Sequence, residues 1–245
     1  MNYAVILAAG VGQRMRNGGL PKQFLKLMGK PIIIYTLEKF QKTDAVDKII
    51  IVSHAGYVDE MDEFVRQYNI SKVSEIVVGG NDRQTSLEKG VIAAAEDGAA
   101  GEDIVIIHDG VRPLVAESTI NENIRAAKRY GSAVTIRPVT ESVVITDAEK
   151  AEISDFKRRD ITYSLTSPQT FVLSSLRRAL LENKKKEEGD AGLPLLDAGM
   201  VYADRIGAVH LVKENNANIK ITTPEDYYFL KAILELEENK FVFGL

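Results

Sequence analysis

Apolar runs alternate with amphipathic segments along most of the chain. Six short apolar runs predict β-strands at residues 3–7, 48–52, 75–78, 103–107, 133–137 and 208–212. Segments with apolar residues at steps of three and four predict helices at residues 32–40, 58–68, 86–95 and 119–130. Strands that alternate with helices favour a mainly parallel sheet that is covered on both faces.

Capping residues mark two of the helix boundaries. Gly131 follows the helix predicted at residues 119–130, in the position that glycine favours after a helix end. A last helix is predicted to begin near Pro224, which suits the first helical position, with Thr223 as its cap. Glu225 and Asp226 then suit the positive end of the helix dipole.

One region departs from the alternation of strands and helices. Residues 142–146, 151–156 and 162–165 alternate in polarity with no helix between them, which predicts an antiparallel arm. We therefore expect one domain over residues 1–245, from which residues 138–171 protrude as a β-arm. Because a lone hairpin is only marginally stable in water, we expect the arm to pack on a second copy of the chain in a homodimer.

Composition excludes several classes of function. The 245 residues fit one large domain, and the net charge of −4 argues against a nucleic-acid partner. The absence of cysteine excludes disulfides and thiolate chemistry, and it is compatible with a reducing cytoplasm. The short N-terminal apolar run lacks a basic flank, and no stretch reaches membrane-spanning length, so we expect a cytoplasmic protein with no membrane partner.

The loop after the first predicted strand combines glycine with positive charge. Gly10 and Gly12 begin a dinucleotide-type fingerprint, but Met15 stands where its third glycine would be. The next strand ends in Ser53 and His54 instead of an acidic residue, and no P-loop G-K-[ST] follows at the required spacing. Neither standard nucleotide motif is therefore present.

Three cations in the same loop favour the binding of an anion. Arg14, Arg16 and Lys22 have side chains long enough to fold over a phosphate chain that rests on backbone N–H groups. The alternative is a purely structural glycine loop with solvated charges.

Five motifs, in order, carry a resemblance to a known family. They are L-A-A-G-x-G-x-R-M with P-K-Q (residues 7–23), V-G-G-N-D-R-Q-T-S (78–86), H-D-G-V-R-P (108–113), S-P-Q-T-F (167–171) and N-I-K-I-T-T-P-E-D (218–226). The series resembles the cytidylyltransferase family that contains the methylerythritol-phosphate and ribitol-phosphate enzymes. The resemblance covers nearly the whole chain, and it implies an α/β, Rossmann-like fold whose arm reaches the partner subunit of a dimer.

The family reaction is attack by an acceptor phosphate on the α-phosphate of CTP, with pyrophosphate as the leaving group. The attacking oxygen is already ionised at neutral pH, so no general base is required. The barrier lies in aligning two polyanions and stabilising the charge that develops. Such a site needs cations, backbone donors and a divalent metal, for which the resemblance implies Mg²⁺.

The resemblance assigns roles to residues of this chain. It implies Arg14, Lys22 and Lys220 as catalytic cations, against the alternative that each is a surface charge in a weak ion pair. The implied CTP-binding residues are Ala8, Ala9, Gly10, Gly12, Arg14, Lys22, Gly79, Gly80, Asn81, Ser86, Asp109 and Gly110. The implied acceptor-binding residues are Asp109, Arg112, Ser142, Arg159, Ser167 and Lys220.

Several of these residues also have a simpler interpretation. Asp109 follows a predicted strand, where a carboxylate can hold Mg²⁺ beside phosphates or can merely cap a turn. Arg112 faces the acceptor phosphate or is a structural partner of Asp109. Thr85 and Glu88 have the spacing of a capping box, which would place a helix start within the base-binding loop. We interpret His54 and His108 as structural.

The chain departs from the methylerythritol-phosphate pattern mainly on the acceptor side. Thr85 and Val111 resemble the ribitol-phosphate branch, and Asp197 stands in a shortened L-D-A-G version of an acceptor motif. We therefore expect D-ribitol 5-phosphate as acceptor, with 2-C-methyl-D-erythritol 4-phosphate as the alternative. A nucleotide-sugar glycosyltransferase lacks support because no D-x-D surrounds Asp109, and a non-catalytic nucleotide-binding module would have lost one of the charged residues.

Overall fold

The computed structural model describes residues 1–10, 20–147, 149–150, 152–187, 197–214 and 218–243. The strands are β1 (Asn2–Ala8), β2 (Lys26–Leu27), β3 (Lys30–Pro31), β4 (Lys48–Ser53), β5 (Val73–Val78), β6 (Ile104–Asp109), β7 (Ser132–Pro138), β8 (Val143–Thr146), β9 (Ile153–Lys157), β10 (Tyr163–Val172) and β11 (His210–Lys213). The helices are α1 (Ile32–Lys42), α2 (Val58–Gln67), α3 (Arg83–Glu96), α4 (Glu117–Tyr130), α5 (Leu173–Glu187), α6 (Ala198–Arg205) and α7 (Pro224–Phe243).

Seven strands form the central sheet, in the order β11-β7-β10-β6-β1-β4-β5. Every neighbouring pair is parallel except the two that β10 makes, since β10 runs antiparallel to both β6 and β7. The predicted α/β fold with a mainly parallel sheet is confirmed. In the register of β1, Leu7 lies opposite both Val52 and Asp109, so the carboxyl ends of β4, β1 and β6 share one edge.

Strand alternation divides the core into two layers, one on each face of the sheet. Ile6 of β1 packs with Ile51 and with helices α1, α2 and α4, whereas the adjacent Val5 packs with Ile50 and with α3, α5 and α6. Burying each such side chain stabilises the fold by about 1.5–3 kcal/mol. The predicted placement of helices on both faces follows from this two-sided burial.

The predicted helix boundaries at Gly131 and Pro224 are confirmed. Gly131 has a positive φ of 84° and its N–H donates to the carbonyl of Ala127 at 2.8 Å, which ends α4. At the start of α7, the Asp226 carboxylate accepts hydrogen bonds from the backbone N–H groups of Thr222 and Thr223, at 2.7 and 2.8 Å. These bonds satisfy donors at a helix end and fix the segment that precedes α7.

The arm is smaller than the sequence predicted. Strands β8 and β9 form a separate antiparallel pair, but the third predicted segment, residues 162–165, overlaps β10 of the central sheet. The predicted arm boundary at residue 171 is therefore wrong. Thr166, Gln169 and Thr170 give β10 a polar appearance, yet they are buried. Thr166 and Gln169 form hydrogen bonds inside the protein, which lowers the cost of burying these two side chains.

The remaining arm leaves large apolar side chains on the surface of the chain. Phe156 of β9 is 72% exposed, and Ile153, Ile145 and Val144 are also exposed.

Among the helices that the structure describes, none combines the length and apolar composition required to cross a bilayer.

Candidate active site

A cleft of about 480 Å³ opens at the carboxyl edge of the central sheet. Ligands of open α/β sheets collect at this edge, where loops and helix starts converge. The cleft is lined by Leu7, Ala8, Ala9, Gly10, Lys22, Gln23, His54, Gly80, Asn81, Asp82, Arg83, Ser86, Asp109, Val111 and Lys220. Nine residues predicted from the motifs are among them: Ala8, Ala9, Gly10, Lys22, Gly80, Asn81, Ser86, Asp109 and Lys220.

The first wall of the cleft is the segment that follows β1. Gln23 is buried, and its side-chain amide donates to the carbonyl of Ala8 at 2.5 Å, which ties the P-K-Q turn to the end of the strand. This contact brings Lys22 to the cleft beside Gly10. The predicted residues Gly12 and Arg14, and Arg16 with them, lie outside the described residues.

The second wall is the loop between β5 and α3. The Ser86 hydroxyl accepts from the N–H of Gly80 at 3.0 Å and donates to the carbonyl of Asp82 at 2.8 Å, so this buried serine holds the loop in shape. Gly79 leaves no room for a side chain, since an added Cβ would lie 2.4 Å from the Cβ of Ala9. Close contact between the two walls therefore requires glycine at position 79.

Helix α3 begins at a different cap from the one predicted. Asp82 is its N-cap, and the Asp82 carboxylate accepts from the N–H of Thr85 at 2.7 Å. The predicted capping box of Thr85 and Glu88 is wrong because the helix starts at Arg83, three residues after the loop glycines. Asp82 satisfies one of the free N–H groups at this helix start.

Three cations converge on Asp109 at the end of β6. Its Oδ1 lies 2.8 Å from Nη1 of Arg83, and its Oδ2 lies 3.0 Å from Nε of Arg112 and 3.1 Å from Nζ of Lys220. Burial alone would raise the pKa of Asp109, but Arg83, Lys220 and Arg112 together hold that pKa well below its usual range. The carboxylate is therefore ionised at neutral pH and gathers positive charge at the floor of the cleft.

Arg112 and Ser167 lie beside Asp109. Both are buried; Nη1 of Arg112 donates to the carbonyl of Asn218 at 2.9 Å, and the Ser167 hydroxyl accepts from the N–H of Asp109 at 3.2 Å. The structure thus shows the structural pairing of Arg112 with Asp109 that the sequence left open. Gly110 donates from its N–H to the carbonyl of Leu7 at 2.9 Å and joins β6 to β1 at this point.

Sequence reasoning missed the ion-pair bridge that Arg83 forms. Its second nitrogen, Nη2, lies 2.6 Å from Oδ1 of Asp197, so one guanidinium joins two carboxylates. Asp197 occupies the N-cap position of α6 but makes no capping bond with its side chain. The sequence could have indicated this bridge, because both residues lie in motifs: Arg83 in V-G-G-N-D-R-Q-T-S and Asp197 in the shortened acceptor motif.

The two arm residues predicted to bind the acceptor lie apart from the lining of this cleft. Ser142 and Arg159 are exposed, and Arg159 donates to the carbonyl of Thr140 at 3.4 Å, at the base of the arm. A single chain therefore does not bring them together with Asp109.

The two histidines near the site have structural contacts. His108 is buried, and its Nε2 lies 3.2 Å from the carbonyl of Arg112; burial lowers its pKa to about 4. The ring is neutral at pH 7 and donates from Nε2 to that carbonyl. His54 lines the cleft, and its Nδ1 accepts from the N–H of Gly56 at 3.1 Å.

The donor set around Asp109 fits one bond to a divalent cation. In the described part of the chain, no three His, Cys, Asp or Glu residues are grouped as metal ligands. Mg²⁺ beside nucleotides is commonly held by one or two carboxylates together with phosphate oxygens. Oδ1 of Asp109 has a single cationic partner and Oδ2 has two, and a carboxylate offers about four lone-pair positions, so Oδ1 can accept one further ligand.

Known cytidylyltransferases are similar to this chain over nearly its whole length. The profile of the 2-C-methyl-D-erythritol 4-phosphate cytidylyltransferase (IspD) family matches residues 2–236. Ribitol-5-phosphate cytidylyltransferase of Streptococcus agalactiae serotype III is 39% identical over 245 residues, with 100% of both chains covered. A 2-C-methyl-D-erythritol 4-phosphate cytidylyltransferase of Halalkalibacterium halodurans is 36% identical over 242 residues, which cover 98% of this chain and 100% of that protein.

A solved structure shows the same fold. The 4-diphosphocytidyl-2C-methyl-D-erythritol synthase of Anaerococcus prevotii superposes with a TM-score of 0.78 at 24% identity, with 96% of each chain covered.

Proposed function

Because the chain belongs to the 2-C-methyl-D-erythritol 4-phosphate cytidylyltransferase family, a family of CTP-dependent nucleotidyltransferases, we propose that it transfers CMP from CTP to D-ribitol 5-phosphate. The products are CDP-ribitol and pyrophosphate. The observation that carries the proposal is the convergence of Arg83, Arg112 and Lys220 on Asp109, at the edge of the sheet where nucleotides bind.

The nucleotide half of the cleft is supplied by the two glycine-containing walls. Lys22, and Arg14 of the same loop, contact the triphosphate, with backbone N–H groups near Gly10 completing the anion site. The loop from Gly79 to Ser86 receives the cytosine, and Asn81 offers amide hydrogen bonds to its edge. Positive charge and backbone donors in a partly closed cleft are the groups that a triphosphate requires.

The transfer itself needs charge stabilisation and alignment. An ionised oxygen of the acceptor phosphate attacks the α-phosphorus of CTP, while the bond from that phosphorus to the β-phosphate oxygen breaks and pyrophosphate leaves with the electron pair. Lys220, which is 34% exposed, faces both the cleft and Asp109 and stabilises the negative charge that develops. No residue of the cleft has to remove a proton, because the nucleophile is already ionised.

Mg²⁺ fits this scheme, and Oδ1 of Asp109 would be the protein oxygen that holds it. When bound, it neutralises phosphate charge and orients the triphosphate. Asp109 thus has two tasks, since it also holds the three cations in place.

The arm completes the acceptor half of the site in a homodimer. Ser142 and Arg159 of one copy then contact the acceptor in the cleft of the other copy. The exposed apolar side chains of the arm, including Phe156, support this arrangement, because pairing two copies would remove them from water. The homodimer operates in the cytoplasm, in keeping with the lack of cysteine.

The choice of ribitol 5-phosphate as the acceptor is supported by the relatives and by two residues of this chain. Ribitol-5-phosphate cytidylyltransferases of Streptococcus agalactiae and Vibrio parahaemolyticus are 39% and 38% identical over their whole length. Thr85 and Val111 support the same choice, since both resemble the ribitol-phosphate branch. The family profile and the relative from Halalkalibacterium halodurans, at 36% identity, favour 2-C-methyl-D-erythritol 4-phosphate as the second candidate acceptor.

Pyrophosphate release separates these candidates. The protein is assayed with CTP and Mg²⁺ and either D-ribitol 5-phosphate or 2-C-methyl-D-erythritol 4-phosphate, with UTP in place of CTP as control. We expect the larger kcat/KM with ribitol 5-phosphate. A larger kcat/KM with methylerythritol phosphate would show that the second candidate is the acceptor. Absence of pyrophosphate release with either acceptor would reject the proposed function.

A further inference from the structure

A carboxylate behind the cationic cluster has no role in the reaction described above. Glu214 follows β11 and is half-buried. Its Oε1 accepts from the hydroxyl of Thr166 at 2.7 Å, and its Oε2 accepts from the side-chain amide of Asn218 at 2.7 Å. Both partners are neutral donors, and an ionised carboxylate, which only accepts, satisfies both at once.

Asn218 connects Glu214 to the cationic cluster. Its side chain is buried and donates to Glu214 and to the carbonyl of Ser167, the latter at 2.7 Å. The backbone carbonyl of Asn218 accepts a hydrogen bond from Nη1 of Arg112 at 2.9 Å. The position of the Asn218 backbone therefore helps to fix the guanidinium of Arg112 beside Asp109.

The same residue begins the short segment that carries Lys220. On the far side of Lys220, the N–H of Ile221 donates to the carbonyl of Val111 at 2.9 Å, and the Ile221 side chain is buried. Lys220 is thus held between two anchors, Asn218 and Ile221, with its Nζ at 3.1 Å from Oδ2 of Asp109. Loss of one of these contacts would leave the segment that carries Lys220 fixed at one end only.

A structural carboxylate at this place carries a desolvation cost that its contacts offset only in part. Burial raises the pKa of Glu214, while the hydrogen bonds of Thr166 and Asn218 and the charges of Arg112 and Arg137 act in the opposite direction. A serine or threonine could bond one of the two donors, but only a longer side chain with two acceptor positions spans both. The geometry thus suits a group whose purpose is to hold Asn218.

We propose that Glu214 is a positioning residue that keeps Arg112 and Lys220 at Asp109 through its bond to Asn218. The inference deepens the function proposed above and rests on it only for the effect on turnover. Because a cation displaced by about 1 Å can cost roughly a hundredfold in rate, the effect on kcat should be large compared with that on CTP affinity.

The test compares Glu214→Ala with Glu214→Gln and with Glu75→Ala. Glu75 is an exposed glutamate of β5, at the opposite edge of the sheet from β11, which Glu214 follows. We expect Glu214→Ala to lower kcat for pyrophosphate release by about tenfold to a hundredfold. The dissociation constant of CTP with Mg²⁺, measured by calorimetry, should change less than kcat does. Glu75→Ala should match the unaltered protein.

Glu214→Gln should recover most of the rate. Its amide oxygen can accept from Asn218 while its nitrogen faces the Thr166 hydroxyl, whose proton then bonds the carbonyl of Thr135, 3.2 Å away. If Glu214→Ala does not fold, Thr166→Val removes only one partner of Glu214 and should give a smaller loss of kcat. Equal kcat in Glu214→Ala and the unaltered protein, or no rescue by Gln, would overturn the inference.

A crystal structure of Glu214→Ala gives a readout that does not depend on turnover. We expect the distance between Lys220 Nζ and Asp109 Oδ2 to exceed its present 3.1 Å. An unchanged cluster would reject the positioning role. If the unaltered protein itself turns over neither acceptor, the proposed function fails, and this distance still decides the role of Glu214.

Discussion

Nη1 of Arg83 lies 2.8 Å from Oδ1 of Asp109, so the first turn of α3 is joined directly to the carboxyl end of β6. This contact links the loop between β5 and α3 to the carboxylate that holds Arg112 and Lys220. A disturbance at Asp109 will therefore act on Arg83, Arg112 and Lys220 together.

We expect Asp109→Asn to lower turnover by about a hundredfold or more, as the loss of one preorganised charge contact commonly does. Asn lacks the charge that holds three cations together, and breaking a buried ion pair also destabilises a fold, by about 3–5 kcal/mol. Pyrophosphate release and thermal melting measure the two effects. Asp62→Asn, in an exposed pair with Arg66, is the control and should change neither quantity appreciably. Normal kcat in Asp109→Asn would contradict the role of the cluster.

Lys22→Ala should reduce kcat by orders of magnitude while the fold persists. The side chain lines the cleft, where we propose that it contacts the triphosphate, and Lys22 is not part of the buried core. Lys26→Ala removes a lysine four residues away that is exposed and absent from the cleft lining, and it should retain full activity. Unchanged turnover of Lys22→Ala, measured by pyrophosphate release, would remove Lys22 from the mechanism.

The bridge from Arg83 to Asp109 and Asp197 should show energetic coupling. Lysine cannot span two carboxylates as a guanidinium does, so Arg83→Lys should lower kcat/KM by about tenfold. Asp197→Asn removes only the second contact. In a double-mutant cycle, we expect a coupling energy of about 0.5–3 kcal/mol between positions 83 and 197. Additive effects on kcat/KM would show that the bridge has no influence on the reaction.

His108 should make stability depend on pH. Its pKa falls from 6.5 in the unfolded chain to about 4 in the fold, so between these values the unfolded state binds more protons and stability rises with pH. The contribution is about 3 kcal/mol at pH 7, fully present above pH 6.5 and lost as the pH falls toward 4. Urea denaturation from pH 4 to pH 7.5 measures it, and His108→Gln should flatten the curve. An unaltered slope in that variant would contradict this assignment.

The arm can be tested by mixing two variants that are inactive alone. If Arg159 acts in the cleft of a partner, a mixed dimer of Lys22→Ala and Arg159→Ala contains one site with both residues intact. Random exchange of subunits should then restore about a quarter of the normal activity. Light scattering should show a dimer at micromolar concentration. A monomer, or no recovery on mixing, would place Arg159 outside the reaction.

Local patterns in the sequence were enough for most elements of the fold. The period of apolar residues depends only on neighbours along the chain, so it predicted β1, α1 and α4. It also predicted that helices cover both faces of the sheet. Helix-end signals at Gly131 and Pro224 are local in the same sense. The motif residues lie at strand ends, and parallel strands bring their carboxyl ends to one edge, so the position of the cleft also followed from order along the chain.

Other features depended on contacts between distant parts of the chain. The polar residues of β10 are compatible with an exposed arm, and the pairing of β10 with β7 together with the buried hydrogen bonds of Thr166 and Gln169 makes burial in the sheet favourable. Arg83, Asp109 and Lys220 become one cluster because β6 lies between β1 and β10 and because residues 218–221 return to Val111. The sequence by itself determined which residue types stand at the ends of the strands, whereas the tertiary structure decided which charges meet, because pairing depends on strand order and side-chain reach.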